Sequence, residues 1–398
     1  MIFQALDEKQ ECVGIYLDGE VLYGEIPSNL SKTWSFSSFL GDMDIEYAQL
    51  YCGGKSLHEV CPDHLRPELE RVWKRIGAFY RSFVISKVDL NQVCFYDLLP
   101  EEFLKSFCEV KNKITNHVLE NYEKPDNYNL QKGIVELVAQ ISSQKLNIDI
   151  NALRDELVQY RTRQFFKKIN NTDPYIKYNS YGTKTGRLTT KKNSFPILTM
   201  DKKYRKIIQP NNDLFVEFDY NSAELRVLLG LSGNEQPKED LHDWNTKNLF
   251  KECSTNRDLA KKRIFSWLYN PNSQDSELSK VYEREKVKDM YWDGKHVKTI
   301  FDREIEADDY HALNYIIQST CSDLILQKAV NISKMLKNKK TKIAFIIHDS
   351  IVLDYSSEDG VLMNEVHEEF SKTPFGQFKT NVSAGRNFGD LKSICIQS

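Results

Sequence analysis

Two aspartates at the ends of apolar segments are the first residues in this sequence with a clear chemical use. Asp219 ends the apolar run LFVEFD, and Asp349 lies at the centre of the β-branched segment IAFIIHDSIVLDY. A carboxylate beside buried surface costs free energy unless a positive charge neutralises it, and hard divalent cations prefer oxygen ligands. If the two strands are neighbours, the aspartates can hold two magnesium ions about 4 Å apart, which suits in-line attack at phosphorus. For either aspartate alone, a capping or turn role is the simpler explanation.

A second pattern is the recurrence of four side chains at four-residue spacing within RDLAKKRIFSWLY. They are Arg257, Lys261, Phe265 and Tyr269. This spacing places all four along one face of a helix. Such a face can hold a triphosphate through its two cations and stack on a base through its rings. An ordinary amphipathic helix with core aromatics has the same spacing, so the spacing alone leaves both interpretations open.

Charge is distributed unevenly along the chain. The net charge is only −3, but residues 153–210 contain fourteen Lys or Arg and four Asp or Glu (14 − 4 = +10). Residues 1–60 carry three bases and ten acids (3 − 10 = −7). The basic block is interleaved with Tyr and Phe, a mixture that suits phosphate neutralisation beside base stacking. A solvated surface is the alternative explanation of such a block.

Length and composition indicate a globular protein with more than one hydrophobic core. A single core rarely serves more than about 300 residues, and this chain has 398. Hydrophobic residues make up 40% and charged residues 28% of the chain, as is typical of mixed helix and strand proteins. No signal peptide and no apolar run of about 18 residues is recognisable, so we expect no membrane partner and a cytoplasmic location. The eight cysteines form no C-x-x-C pair and are predicted to be free, buried thiols.

Local patterns predict the elements that position the candidate residues. The segment ECVGIYLDGEVLYGEI predicts a hairpin with a tight turn at Asp18-Gly19. VEFDY predicts a strand, and IAFIIHDSIVLDY predicts a hairpin with His348-Asp349-Ser350 at its turn. Helical periodicity covers 66–84, 101–122, 130–168 as a pair of helices, and about 306–337.

Three segments together resemble a known enzyme family. DYNSAELRVLLGLSG resembles the first palm motif of the family A, Pol I-type DNA polymerases, and RDLAKKRIFSWLY resembles the R-x-x-x-K-x-x-x-F-x-x-x-Y motif of their fingers helix. IIHDSIVL resembles their third motif, which contains His-Asp. The segments TKTGRLTT, DLH and NYIIQSTCSDLI occur in the family's order as well. The resemblance covers roughly residues 130–398, and the shared order and spacing make it specific.

The resemblance implies an α+β fold class, a right-hand polymerase with an antiparallel palm sheet, helical fingers and a reduced thumb. A small N-terminal α/β domain would occupy the place of a 3′–5′ exonuclease, and we expect an inactive, degenerate remnant because Asp18 and Glu20 flank a turn. The predicted domains are 1–125 (N-terminal), 126–175 (reduced thumb), 176–232 (first part of the palm), 233–305 (fingers) and 306–398 (second part of the palm). A short thumb predicts low processivity unless a processivity factor or other replisome protein supplies a clamp.

The resemblance also implies how metal and sugar are held. Asp219 and Asp349 would ligate two Mg²⁺ ions, for which Mn²⁺ can substitute, with the carbonyl of Tyr220 as a third ligand. Glu224 would exclude a ribose 2′-hydroxyl, and Tyr269 would close the other side of that pocket.

Nucleotide and DNA contacts are implied in the same way. Arg257, Lys261 and His242 would hold the triphosphate, with Lys261 also stabilising charge as it develops, and Phe265 would pack under the incoming base and sugar. Contacts with the primer terminus, template or minor groove are implied for Arg187, Asn314, Gln318 and His348.

The implied function is template-directed, primer-dependent DNA synthesis from dNTPs by two-metal nucleotidyl transfer, in replication or repair, by a compact, phage-like enzyme. Its partners would be primer-template DNA and dNTPs. Ser350 departs from the family, which usually has Glu after His-Asp, and the same His-Asp-Ser triplet occurs in phage-type single-subunit RNA polymerases. Those enzymes lack an acidic residue at the position of Glu224 and lack the TGRL element, so DNA synthesis is favoured. A non-catalytic DNA-binding accessory protein, the third alternative, would need one of the two aspartates to be missing.

Overall fold

The structure is a computed structural model that describes residues 1–6, 14–24, 26–40, 43–90, 93–250, 257–270 and 272–395. The chain divides into two compact units, Met1–Gln140 and Ile141–Ser398. All of the residues singled out for metal, nucleotide or DNA binding belong to the second unit. The division into five domains is finer than these two units and stays a prediction.

The N-terminal unit combines short strands with longer helices. Its strands are β1 (Gln4–Ala5), β2 (Gly14–Leu17), β3 (Glu20–Tyr23), β4 (Lys32–Thr33) and β5 (Glu46–Tyr47). Its helices are α1 (Ala48–Tyr51), α2 (Leu57–Val60), α3 (Arg66–Ile85), α4 (Glu101–Asn121) and α5 (Tyr128–Ser142), whose last two residues belong to the second unit. Strands β1, β2 and β3 form an antiparallel sheet, and β4 pairs in parallel with β5.

The predicted hairpin of the N-terminal unit is formed by β2 and β3. Asp18 and Gly19 link the strands with φ angles of 48° and 91°, the left-handed backbone that a tight primed turn requires. The predicted helices at 66–84 and 101–122 are also confirmed, as α3 and α4. Residues 11–13 and 25 of the hairpin segment lie outside the described residues.

The second unit contains the remaining elements. Its helices are α6 (Tyr160–Ile169), α7 (Ala223–Leu231), α8 (Leu241–Asn248), α9 (Arg257–Tyr269), α10 (Ser276–Tyr282), α11 (Arg284–Tyr291), α12 (Ala312–Met335) and α13 (Leu362–Ser371). Its strands are β6 (Asn147–Ile148), β7 (Tyr178–Asn179), β8 (Thr189–Thr190), β9 (Ile208–Gln209), β10 (Leu214–Tyr220), β11 (His296–Lys298), β12 (Glu304–Glu306), β13 (Lys342–Ile347), β14 (Ser350–Tyr355), β15 (Lys372–Thr373), β16 (Gly376–Gln377), β17 (Thr380–Gly385) and β18 (Lys392–Ser393). Short 3₁₀ helices occur at Ser38–Leu40, Asp63–Leu65, Tyr96–Leu98, Ile150–Val158, Lys202–Ile207 and Ser357–Asp359.

A five-stranded sheet forms the centre of the second unit, in the order β13-β14-β10-β17-β18. Every adjacent pair of strands is antiparallel, as predicted for the palm. Strand β10 packs one face on α13, because the Tyr220 ring stacks on Phe370 at 4.1 Å and its hydroxyl donates to the Phe370 carbonyl at 2.6 Å. Successive side chains of a strand point to opposite faces, so Glu217 and Asp219 lie on the face away from Tyr220 and Phe218.

The structure corrects two predicted boundaries. Helix α12 begins at Ala312, later than the predicted position near 306, because Glu304–Glu306 pairs as strand β12 with β11. The turn between β13 and β14 contains only His348 and Asp349, since Ser350 already pairs with Ile347 and begins β14. The helix pair expected over 130–168 is found as α5 and α6, separated by the 3₁₀ helix Ile150–Val158.

Cysteine burial and membrane spans were also predicted from the sequence. The described cysteines are all free, and five of them are buried: Cys52, Cys61, Cys94, Cys108 and Cys321. Cys395 is exposed, so the prediction of burial is wrong there, and Cys12 and Cys253 lie outside the described residues. Among the helices of the described ranges, none has the length and apolar character needed to cross a bilayer.

Candidate active site

The two predicted metal-binding aspartates lie side by side at one end of the central sheet. Strands β10 and β14 pair so that Asp219 lies opposite Ser350, the residue that follows Asp349. The Tyr220 amide donates to the Asp349 carbonyl at 3.5 Å. The sheet therefore brings together two carboxylates that are 130 residues apart in the sequence.

Two negative charges at this position cost free energy, because burial desolvates both carboxylates and they repel each other. Burial, together with the charges of Glu217 and Asp349, raises the pKa of Asp219 to about 6, although a hydrogen bond from the Asn381 amide at 3.3 Å acts in the opposite direction. Burial also raises the pKa of Asp349, and the charge of Glu224 adds to the effect. Two desolvated carboxylates that repel each other form a donor set that a hard divalent cation stabilises. No three His, Cys, Asp or Glu side chains of the described residues are grouped to hold one ion, so these two would be the main side-chain donors.

Strand β10 turns into helix α7 without a Gly or Pro. Ser222 makes the change of direction with left-handed backbone angles (φ 57°, ψ 50°), and Ala223 begins the helix. Arg226, which is fully buried, donates to the carbonyls of Asn221, Pro237 and Glu239 and so fixes this turn from within. The turn places Glu224 in the first turn of α7, where its charge acts on Asp349.

Glu224 is held from two sides. The Arg187 guanidinium donates to Oε1 of Glu224, and the Tyr269 hydroxyl donates to Oε2. Only 14% of the Glu224 side chain is exposed. Burial, and then the charge of Glu224, raises the pKa of Tyr269 well above its ordinary value. The structure thus brings the predicted sugar-pocket residues Glu224 and Tyr269 into direct contact, and adds Arg187 to the same network.

Helix α9 presents the four residues of the predicted stripe. Arg257 forms ion pairs with Asp240 at 3.0 Å and Asp243 at 3.5 Å. Further along the helix, the rings of Phe265 and Tyr269 are nearly parallel, with centroids 6.0 Å apart and 14° between planes. The Lys261 ammonium lies 6.0 Å from the Phe265 ring centroid. Helical spacing therefore produces the expected order of two cations and two aromatic rings.

Asp240 connects α8 and α9 with the end of strand β10, a role that sequence reasoning did not identify. Its carboxylate caps α8 by accepting from the amides of His242 and Asp243, and it also accepts from the Asn221 side chain at 2.7 Å. These bonds and the Arg257 guanidinium hold the Asp240 pKa well below its usual range, although burial acts in the opposite direction. The Asp-Leu-His-Asp pattern before a helix is the capping signal that could have indicated it.

His242 lies beside the stripe of α9. Its ring centroid is 6.1 Å from that of Phe265, and burial lowers its pKa. Within the described residues, its Nδ1 atom is buried without a hydrogen-bond partner. The geometry brings this predicted phosphate-binding residue next to α9 in a largely neutral form at physiological pH.

The predicted DNA-contact residues of α12 lie on the helix face that approaches Asp349. Asn314 and Gln318 are four residues apart and half-buried, and Cys321 of the next turn has its Sγ 3.9 Å from Oδ1 of Asp349. In the described part of the chain the Oδ1 atom of Asn314 is buried without a partner. His348 is exposed in the β13–β14 turn with φ of 49°.

Arg187, His348 and Asp349 together line a small cavity beside α12. A buried ion pair supports the loop that carries Arg187. Arg303 donates to both carboxylate oxygens of Asp323, at 2.7 and 2.6 Å, and Asp323 is fully buried. Gly186, which precedes Arg187, has φ of 75°, and a Cβ at this position would lie 2.5 Å from the Arg303 guanidinium. Sequence reasoning missed Arg303 and Asp323, although the glycine of TGRL was a signal of a close backbone approach.

Known proteins provide an independent comparison. No family model matches the chain. The chain is 22% identical over 387 residues to the DNA polymerase I of Chloroflexus aurantiacus, and the match covers 82% of this chain and 39% of that protein. The chain thus spans about two fifths of the length of this curated relative. A solved structure, the POL domain of Pol1 from M. smegmatis in complex with DNA primer-template and dNTP, matches with a TM-score of 0.56 and 13% identity. It covers 73% of this chain and 76% of that one.

The chain has the fold of a Pol I-type polymerase domain. The resemblance to family A that the three motifs predicted is therefore confirmed, as is the α+β fold class. Within this polymerase fold, the site is built from the central strand β10, the β13–β14 turn, and helices α7 and α9.

Proposed function

We propose that this chain catalyses template-directed, primer-dependent DNA synthesis from dNTPs. The observation that carries the proposal is the meeting of Asp219 and Asp349 at one end of an antiparallel sheet. The contact between Glu224 and Tyr269, which links α7 to the stripe of α9, supports it. A site of this kind accelerates phosphoryl transfer mainly by positioning the reactants and neutralising charge.

Divalent cations fit the donor set of this site, and we propose Mg²⁺, with Mn²⁺ as a substitute. Asp219 and Asp349, with the main-chain carbonyl of Tyr220, would hold two ions. When bound, such ions would lower the pKa of a primer 3′-hydroxyl and neutralise the leaving pyrophosphate. The chain's own contribution is to fix both carboxylates in a desolvated position, where they attract cations strongly.

The incoming nucleotide would bind along α9. Arg257 would exchange Asp240 and Asp243 for phosphate oxygens, and Lys261 would stabilise the charge that develops on the transferred phosphate. His242 would contact the triphosphate from α8. Phe265 would pack under the base and sugar, parallel to Tyr269.

Selection of deoxyribose is assigned to Glu224. Its carboxylate is fixed by Arg187 and Tyr269, so it cannot move aside at low cost to admit a 2′-hydroxyl. Base selection would depend on pairing with the template, because the protein would contact mainly the sugar-phosphate backbone and would recognise the shape of the duplex rather than its sequence.

Primer-template DNA would contact the face formed by α12 and the β13–β14 turn. We propose Asn314, Gln318 and His348 as DNA contacts, with Arg187 near the primer terminus. The positive charge of residues 153–210 favours the phosphate backbone.

The finer predictions made from sequence are proposals of the same kind. They comprise the reduced thumb with low processivity, a clamp-like partner protein, a phage-like origin, a cytoplasmic location and an inactive N-terminal exonuclease remnant. Product length per binding event tests the thumb, and release of labelled 3′ nucleotides without dNTPs tests the remnant.

An RNA polymerase is the second candidate, and Ser350 is the residue that favours it. The buried and doubly bonded Glu224 favours DNA synthesis instead. Extension of a primer with dNTPs compared with rNTPs separates the two. A non-catalytic accessory protein is disfavoured because both aspartates are present.

Primer extension by the purified chain tests the proposal directly. We expect magnesium-dependent extension with dNTPs, and its loss in Asp219→Asn and in Asp349→Asn. Absence of extension by the folded wild-type chain, over a range of primer-templates and with either Mg²⁺ or Mn²⁺, would contradict it.

A further inference from the structure

A third carboxylate lies on the same face of β10 as Asp219. Glu217 precedes Asp219 by two residues and is fixed by hydroxyl groups from both neighbouring strands. Ser350 Oγ donates to Oε1 of Glu217 at 3.1 Å, and Ser383 Oγ donates to Oε2 at 3.2 Å. The two hydrogen bonds thus orient both carboxylate oxygens, which is unusual for a charged residue that is only part of a solvent-exposed surface.

The charge of Glu217 is not cancelled by a close cation. Among the described residues, it has no Lys, Arg or His partner within 4.0 Å. Arg205 faces it at longer range, with its guanidinium stacked 4.7 Å over the Phe388 ring, and Glu217 in turn acts on the charge of Asp219. The negative charge of Glu217 therefore acts on Asp219 as well as on Arg205.

We propose that Glu217 adds a third negative charge to the cation site. It is a positioning residue: its carboxylate, which the Ser350 hydroxyl orients, attracts the cations through space without ligating them. This inference rests on the proposed function. Two divalent ions bring four positive charges, and Asp219 and Asp349 offset only two of them. A further carboxylate on the same sheet face increases cation affinity, because the affinity of such sites rises with the number of nearby carboxylates. Glu217 is not a ligand in this arrangement, since no three acidic side chains in the described residues are grouped around one point.

Binding of Mn²⁺ to the DNA-free protein, followed by electron paramagnetic resonance, tests the inference without measuring activity. Glu217→Gln keeps the size and a hydrogen-bond acceptor but removes the charge. We expect Mn²⁺ to bind about tenfold more weakly, as one charge several ångströms away would cause. In EDTA, the melting temperature should stay equal to that of the wild type or rise, because a repulsion with Asp219 is removed. Glu358→Gln, at an exposed position of the same unit, is the control and should leave Mn²⁺ affinity unchanged.

Exchanging the two partners of the hydrogen bond provides a second test. Glu217→Ser alone should weaken Mn²⁺ binding, and adding Ser350→Glu should restore the affinity to within about threefold of the wild type, because the charge returns to the same bond. Unchanged Mn²⁺ affinity in Glu217→Gln would overturn the proposal. A folded exchange variant that binds Mn²⁺ as weakly as Glu217→Ser does would also overturn it. If the exchange variant does not fold, Glu217→Gln decides the matter alone. A wild-type chain that binds Mn²⁺ but does not extend primers would refute the proposed function and leave this inference standing.

Discussion

The Tyr269 hydroxyl donates a hydrogen bond to the Glu224 carboxylate and so joins the last residue of α9 to the first turn of α7. Arg187 donates to the other carboxylate oxygen of Glu224. One acidic side chain of α7 therefore receives hydrogen bonds from two other segments of the polymerase fold, α9 and the loop that carries Arg187. Removing it should change how the sugar is selected more than how the chain folds.

Replacing Glu224 with Ala should relax the choice between deoxyribose and ribose. The smaller side chain leaves room for a 2′-hydroxyl, so the ratio of kcat/KM for dNTP over rNTP should fall by at least about tenfold. Steady-state incorporation of one dNTP and the matching rNTP measures this ratio. Glu239→Ala, which removes a partly exposed carboxylate paired with Lys247, is the control and should leave the ratio unchanged. An unaltered ratio in Glu224→Ala would show that this residue does not face the sugar.

Removing the charge of Asp219 should abolish synthesis and stabilise the metal-free protein at neutral pH. Burial, with repulsion from Glu217 and Asp349, raises the Asp219 pKa from 3.8 to about 6. As pH rises, the Asp219 carboxyl loses its proton at a lower pH in the unfolded chain than in the folded one. The free energy of unfolding of the wild type in EDTA should therefore fall as pH rises from about 4 to above 6. Asp219→Asn cannot ionise and should lack this contribution to the fall.

Urea denaturation in EDTA at about pH 4 and pH 7 measures the difference between Asp219→Asn and the wild type. We expect the variant to be at least as stable at pH 7, with the difference shrinking towards pH 4. Primer extension by the same protein should drop by about a thousandfold or more. A variant that is less stable at pH 7 yet still synthesises DNA would indicate a structural role for Asp219.

Replacing Phe265 with Tyr should make the enzyme accept dideoxynucleotides more readily. The new hydroxyl can replace an interaction that the missing 3′-hydroxyl of the terminator would otherwise make, and one hydrogen bond of this kind corresponds to about a tenfold change. Single-nucleotide incorporation of a ddNTP against its dNTP gives the ratio. Tyr269→Phe removes a hydroxyl one turn further along α9 and is expected to give no gain for terminators. If Phe265→Tyr leaves the ratio unchanged, Phe265 does not pack against the sugar.

The polymerase fold and the meeting of Asp219 with Asp349 could be predicted from sequence because three local motifs, in a shared order, resemble those of a known family. Each aspartate lies at the end of an apolar strand, and the alternation in VEFDY identifies the side of the strand that it shares with Glu217. The stripe of α9 follows from helical spacing alone. The resemblance to family A then identified these strands and this helix as parts of one site.

Contacts between distant segments were not visible in the sequence. Nothing local indicates that Arg187 pairs with Glu224, or that Asp240 connects Arg257 with Asn221. Ser222 was missed for another reason: its left-handed backbone is imposed by the packing around it, in a residue type that has no strong preference for that conformation. Side-chain pairing and left-handed backbone angles both depend on the tertiary fold. Neither can therefore be predicted from composition or from the periodicity of a single segment.

Removing Asp323, the partner of Arg303, should be among the most destabilising single substitutions in the second unit, because it would leave a buried charge unpaired. Asp323 is fully buried and Arg303 is only 13% exposed, so Asp323→Ala would leave a guanidinium desolvated without its counter-ion. We expect the free energy of unfolding to fall by about 3–5 kcal/mol, measured by urea denaturation. Glu358→Ala breaks an exposed ion pair, in which the Glu358 side chain is 66% exposed and the Lys340 side chain 60%. This substitution should cost less than about 1 kcal/mol. The double variant Arg303→Met/Asp323→Leu should recover much of the loss, because no charge then remains buried. Equal, small losses in Asp323→Ala and Glu358→Ala would mean that water reaches the Arg303 guanidinium and that Asp323 is not its essential partner.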